Sequence, residues 1–271
     1  MGFENTHPRQ DPPPTGLRQA IVLSAGLGTR MQPLTLTRPK PLIAVDGKAL
    51  LDYALDTAFR SGIETCVVNV HYLADQIEDH VAAHYGDRVF LSDERERLLD
   101  SGGGVAKALE RLDPNEPTLL LNADSFWLDR NSATIAALAA AFDQDRMDFL
   151  LLLAKRDEAV GFSGKGDFFA DGDHRITRRG EHASAPYVYT GAAVFHPRLF
   201  EGRAGTAFSL NSLFDQAIAD NRLFGALLDG LWLHVGTPDA IAEAETAMAN
   251  FRAKLLTTNE TRNEDQKAHA P

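Results

Sequence analysis

Cysteine is nearly absent from this 271-residue chain, Cys66 being the single one. Neither an intrachain disulfide nor a multi-cysteine metal site can form, which leads us to expect a reducing compartment, the cytoplasm. Long apolar runs are missing as well: stretches such as FLLLLA at 149–154 fall far short of the roughly 20 residues a membrane-spanning helix needs. The N-terminal stretch MGFENTHPRQDPPPTG lacks a basic start followed by an apolar segment, so neither a signal peptide nor a membrane anchor is expected there. Basic side chains are outnumbered 27 to 38, and the net charge of -11 sets up a field that repels polyphosphate backbones and argues against nucleic acid as a partner. No segment repeats at a fixed period, which excludes a solenoid.

What is present is globular: 44% hydrophobic and 24% charged residues, enough apolar material for a sizeable core. Short apolar runs alternate with amphipathic stretches. Residues 19–25 (QAIVLSA), 66–70, 88–92 and 118–124 read as buried strands, and 49–62, 73–86 and 104–112 carry apolar residues at helical spacing. Strands separated by helices of this length require crossover connections and a parallel sheet, hence a doubly wound α/β fold. The second half is richer in strands, at 148–154, 187–195, 223–228 and 231–235, with a hairpin over 167–177 turning at Asp171-Gly172. A helix opening at Pro238 closes it. The expectation is one mixed domain over 18–254, its smaller half taking a sugar-sized ligand, with disordered tails at 1–17 and 255–271 that have little to bury.

Four segments carry chemistry. The richest, LSAGLGTRMQPLTLTRPKPL at 23–42, follows the first strand, where Gly26 and Gly28 let the main chain of Ala25, Gly26, Leu27, Gly28 and Thr29 close around phosphate oxygens. It is not a dinucleotide fingerprint, since Met31 takes the place of the third glycine, and no Gly-Lys-Ser/Thr follows to make a P-loop. Arg30 adds a bidentate cation, and Lys40, between two prolines, sits on a stiff segment. In LLLNADSFW at 119–127, Asn122 and Asp124 fall at the carboxyl end of an apolar strand, the edge where ligands bind in parallel sheets. Ser101, Gly102, Gly103 and Gly104 form a turn entering a helix, with glycines suited to close backbone approach. The fourth segment, WLHVGTPDAI at 232–241, holds His234.

Together these motifs resemble the nucleotidyltransferases that join a sugar 1-phosphate to a nucleoside triphosphate and release pyrophosphate. The resemblance covers about residues 19–250 and implies their Rossmann-like fold, a mostly parallel mixed sheet. LLDSGGGVAKAL (98–109), GKGDF (164–168) and YTGAAVFHPRLF (189–200) look most like the uridylyltransferase branch, which implies UTP and a sugar 1-phosphate as partners, in a monomer or small homo-oligomer. By the same resemblance Arg30, Lys40 and Asp124 are catalytic, and Asp124 holds magnesium (Mg2+). Ser101, Gly102 and Gly103 meet the nucleobase and ribose, Asn122 meets both the nucleotide and the sugar, and Gly166, Asp167, Thr190 and Gly191 meet the sugar.

Two departures stand out: Ala123 replaces a glycine, and His234 stands where the family carries an aspartate as second metal ligand. Imidazole suits manganese (Mn2+) better than magnesium. Either His234 still faces the metal, or Asp124 and the phosphates hold it alone, or catalysis is lost and the protein is a sugar-nucleotide sensor. Guanylyl transfer to mannose 1-phosphate and thymidylyl transfer to glucose 1-phosphate stay open as alternatives, because they share the first motif.

Overall fold

The computed structural model describes residues 16–130 and 133–268, with the side chains of the last helix placed to residue 257. The strands are β1 (Gln19–Leu23), β2 (Ala44–Val45), β3 (Lys48–Ala49), β4 (Thr65–Val70), β5 (Val89–Asp93), β6 (Thr118–Asn122), β7 (Ser125–Asp129), β8 (Phe149–Lys155), β9 (Phe168–Ala170), β10 (Ile176–Arg178), β11 (Tyr187–Phe195), β12 (Leu223–Leu227) and β13 (Gly230–His234). The helices are α1 (Leu50–Arg60), α2 (Ala74–His84), α3 (Asp100–Ala108), α4 (Thr134–Ala141), α5 (Asn211–Ala219) and α6 (Asp239–Ala268).

Nine strands form one mixed sheet. In its parallel half β1 lies between β4 and β6, with β5 outside β4. β11 then runs antiparallel to β6, β8 and β9, and β12 pairs parallel with β8. The continuous apolar strands follow from cover on both faces. Val22, Val68, Leu121 and Ala192 point to the side that holds Leu51 and Leu55 of α1 and Ile77 of α2. Their neighbours Ile21, Val67, Leu120 and Ala193 point the other way, toward Val105 of α3 and Phe214 of α5. A third cluster joins Met31, Phe126 and Leu233 to Ala244 and Met248 of α6, so the last helix braces the loop after β1.

The expected hairpin exists, as β9 and β10. Three expectations differ. β7, α4 and α5 were not anticipated, and β7 pairs with β13 in a two-stranded ribbon that sets His234 opposite Ser125. α3 starts at Asp100, so the three glycines lie within the helix rather than in a turn before it. Added Cβ atoms there would come within 2.4 Å of the Phe208 ring at Gly102 and 2.3 Å of the Thr206 carbonyl oxygen at Gly103, so close packing explains them. Finally, the chain from 255 continues α6 to Ala268 instead of forming a disordered tail. The N-terminal tail expected at 1–17 lies outside the described residues except for its last two. Among the described residues no helix is long and apolar enough to cross a membrane.

Candidate active site

β1 and β6 end in register, Leu23 beside Asn122, and Ala123 N–H donates to the Leu23 carbonyl at 3.0 Å. The loops that follow therefore leave the sheet side by side at its carboxyl edge, where ligands bind in such folds. The first loop folds back through three short 3-10 turns, Thr29–Met31, Leu34–Leu36 and Lys40–Leu42. Gly28 allows the return: its φ is +63°, and an added Cβ would lie 3.0 Å from both Lys40 Cβ and Thr35 Cγ2. Thr35 Oγ1 donates to the Gly28 carbonyl at 2.8 Å and pins the bend.

That fold-back delivers Lys40 Nζ to Asp124 Oδ2 at 2.8 Å, the Lys40 side chain being only 11% exposed. The β7–β13 ribbon delivers His234, with Val235 N–H donating to the Asp124 carbonyl at 3.0 Å. His234 Nε2 stands 3.9 Å from Asp124 Oδ2, buried and with no hydrogen-bond partner among the described residues. Burial pushes the Asp124 carboxyl up, but the charge and hydrogen bond of Lys40, with His234 and Arg30, outweigh it and hold the group below its ordinary value. Burial pushes the His234 imidazole down; Asp124 opposes that, while Lys40 and Arg30 reinforce it. The imidazole is thus neutral at pH 7 and its lone pair can be offered to a cation.

A cavity of about 310 Å³ opens beside the pair, bordered by Leu23, Ser24, Ala25, Gly26, Lys40, Pro41, Asn69, Leu98, Asp100, Ser101, Asn122, Ala123 and Asp124. A Cβ on Gly26 would meet nothing within 4 Å, so that position is open toward a ligand. Leu27, Thr29 and Arg30 are exposed on the loop outside this lining. Ser101 borders the cavity, but Gly102 and Gly103 are buried, and both their N–H groups donate to the Phe208 carbonyl, at 2.9 and 3.1 Å.

Thr190 and Gly191 lie against the other side of Asn122, where the β11 register breaks. Gly191 has φ +87°, and a Cβ there would sit 2.8 Å from Ser125 Oγ and 2.9 Å from Asn122 Cβ. The Thr190 carbonyl accepts from Ser125 Oγ at 2.7 Å and Trp232 Nε1 at 3.0 Å. Gly166 and Asp167 are not part of the cavity wall; the Asp167 carboxylate accepts the Tyr189 N–H at 3.0 Å. Ser24, Asn69, Leu98 and Asp100 were not singled out in the sequence, although Asn69 is a polar residue within the apolar run CVVNV.

A loop open at Gly26, a buried lysine and a carboxylate converge on one cavity at the carboxyl edge of a parallel sheet, an arrangement chemically suited to a phosphorylated ligand. The chain belongs to the nucleotidyl transferase family, whose family model matches residues 19–250. It is 42% identical over 234 residues to the N-acetylmuramate alpha-1-phosphate uridylyltransferase of Caulobacter vibrioides, covering 85% of this chain and 96% of that one. The protein of the same description from Neisseria meningitidis serogroup B is 32% identical over 230 residues, covering 84% and 96%. The inositol-1-phosphate CTP transferase of T. maritima shares the fold, with a TM-score of 0.68 at 20% identity over 83% of this chain and 91% of that one.

Proposed function

We propose that this protein transfers the uridylyl group of UTP to N-acetylmuramate 1-phosphate and releases pyrophosphate. The reading is carried by the likeness to the Caulobacter vibrioides uridylyltransferase over 96% of that protein's length. The lining of the cavity supports it, since Ala25, Gly26, Lys40 and Asp124 all border the same space of about 310 Å³.

The acceptor phosphate oxygen is already ionised and attacks the α-phosphorus in line. The bond from that phosphorus to the bridging oxygen breaks, and the electron pair leaves with pyrophosphate. No general base is needed, so catalysis is positioning and charge neutralisation. The Ala25–Thr29 main chain and Arg30 hold the outer phosphates. Lys40 trades part of its contact with Asp124 for the α-phosphate and the incoming phosphate. Ser101 lies toward the nucleoside, and Asn122, Thr190 and Gly191 toward the sugar, with Gly166 and Asp167 further out on that side.

Asp124 and His234 would hold a divalent cation, since the unpartnered Nε2 and the adjacent carboxylate converge, and such an ion, when bound, supplies charge neutralisation at the phosphates. Among the described residues no group of three or more His, Cys, Asp or Glu could hold a metal, so substrate oxygens must complete the coordination of magnesium or manganese. Phosphorylated substrates and a buried free thiol at Cys66 suit the cytoplasm.

A grid of UTP, dTTP, GTP and CTP against N-acetylmuramate, glucose and mannose 1-phosphates, scored by pyrophosphate release with magnesium and with manganese, tests the reading. UTP with N-acetylmuramate 1-phosphate should give the highest kcat/KM. Another pair winning would replace the substrates, and no release from any pair would favour the sensor reading that His234 raises.

A further inference from the structure

Asn69 is a polar side chain in the apolar run CVVNV of β4, 3% exposed between parallel neighbours. A buried amide must be partnered, and this one is partnered in a single possible orientation. Ser24 N–H donates to Asn69 Oδ1 at 2.7 Å; because an N–H can only donate, the atom it meets is the amide oxygen. The amide nitrogen is left facing Glu94, and Asn69 Nδ2 donates to Glu94 Oε1 at 2.7 Å. Glu94 lies just past β5 and is 1% exposed, and its other oxygen, Oε2, accepts the Leu99 N–H at 2.9 Å. The Glu94 main chain is held in turn, its N–H donating to the Val70 carbonyl at 2.7 Å and its carbonyl accepting Arg97 N–H at 3.0 Å. The four side-chain polar atoms of the pair therefore all have partners.

The two ends of this relay are the two walls of the cavity. Ser24 begins the loop that presents Ala25 and Gly26, and Leu99 sits between Leu98 and Asp100, which border the cavity on the opposite side. The helix carrying Ser101 rests on the same pair, since a Cβ on Gly104 would lie 2.7 Å from Asn69 Nδ2 and 2.8 Å from Glu94 Oε1. We propose that Asn69 and Glu94 are positioning residues for nucleotide binding: the Ser24–Asn69–Glu94–Leu99 relay sets the distance between the phosphate-side and nucleoside-side walls. The inference rests on the reading that this cavity takes the nucleoside triphosphate, and it assigns a positioning role to two residues, of which Asn69 itself borders the cavity and Glu94 lies behind it, outside the lining.

The relay has a polarity, and the polarity can be reversed. Glu94→Gln puts two amide NH2 groups face to face or leaves the Leu99 N–H unmet. Asn69→Asp puts two carboxylates face to face. The double variant restores every contact with donor and acceptor exchanged: the new Gln amide donates to the new Asp, the Gln oxygen accepts from Leu99, and the second Asp oxygen accepts from Ser24.

Titration calorimetry of the parent with UTP, CTP, GTP and dTTP in the presence of magnesium comes first and identifies the nucleotide to use. Each single variant should then raise the Kd and KM for that nucleotide about tenfold or more, the scale of one buried polar group left unsatisfied. The KM for the sugar 1-phosphate should stay near the parent's, and the double variant should return the nucleotide Kd to within about threefold of the parent. Single variants that bind the nucleotide like the parent would overturn the proposal, as would both KM values rising together or a double variant no better than the worse single. If the singles fail to fold, the double variant decides alone: parent-like nucleotide binding supports the relay, and weak binding or failure to fold sinks it. A parent that prefers a nucleotide other than UTP would overturn the uridylyl reading and leave the relay to be judged with that nucleotide.

Discussion

Lys40 and Asp124 are 84 positions apart and meet at 2.8 Å, so the pair exists only through the fold. A lysine that is 11% exposed against a carboxylate is not a solvated surface charge, and its ammonium offsets Asp124 before any substrate arrives. Lys40→Ala should lower kcat/KM by roughly 100-fold, on the scale of one preorganised charge contact. It should also let the Asp124 carboxyl titrate higher than in the parent, because the charge and hydrogen bond that hold it down are gone. Steady-state kinetics and a carboxyl-carbon NMR titration check the two halves; parent-like turnover would remove Lys40 from the mechanism. At this scale the residues next to glycines and strand ends were legible, because a phosphate loop is local chemistry: Ala25, Gly26, Lys40, Asn122 and Asp124 all border the cavity. Asn69 and Glu94 were not, since their meaning is a contact between strands, and a sequence shows a buried polar residue without showing its partner.

Among the elements, the parallel strands announced themselves by apolar runs, whereas β7 did not. Ser125–Asp129 is short and adjoins the loop carrying Asp124, and its partner β13 lies more than a hundred positions on. α3 was seen one turn late because its three glycines look like a hinge when their neighbours are unknown. The glycines separate into two kinds, and this gives a contrast to measure. Gly103→Ala forces a Cβ to within 2.3 Å of a backbone oxygen, which cannot swing aside, so thermal or denaturant unfolding should show a loss of about 1–3 kcal/mol, typical of overpacking. Gly26→Ala has open space and no left-handed φ, so stability should hold while nucleotide binding falls, because the new methyl occupies room that the ligand uses. Equal melting temperatures for the two variants would contradict this division.

Over the whole molecule, a net charge of -11 makes any polyanionic substrate an unwelcome visitor except where Arg30 and Lys40 gather. The same excess of acid groups makes the acid limb of stability informative. Among the described residues two histidines are held below their ordinary value of 6.5: His234 chiefly by burial, and His196 by burial and then by the Arg198 charge. His196 Nδ1 also accepts the Arg198 N–H at 3.2 Å, a bond that protonation would remove. In the unfolded chain both imidazoles take up protons near 6.5, and in the folded chain only at lower pH. Between those points the unfolded state binds more protons, so the stability present above 6.5 is lost as pH falls through the folded values. Asp124, and Asp93 through the Arg95 N–H it accepts, are held below the ordinary carboxylate value of 3.8 and lose their contribution only in stronger acid. Melting temperatures of the chelator-treated protein from pH 8 to pH 3 should therefore fall in two stages, the first beginning below about 6.5 and the second below about 4. Replacing His196 and His234 together by Gln should flatten the first stage and spare the second. A first stage that persists unchanged in that double variant would show that other groups govern the near-neutral limb.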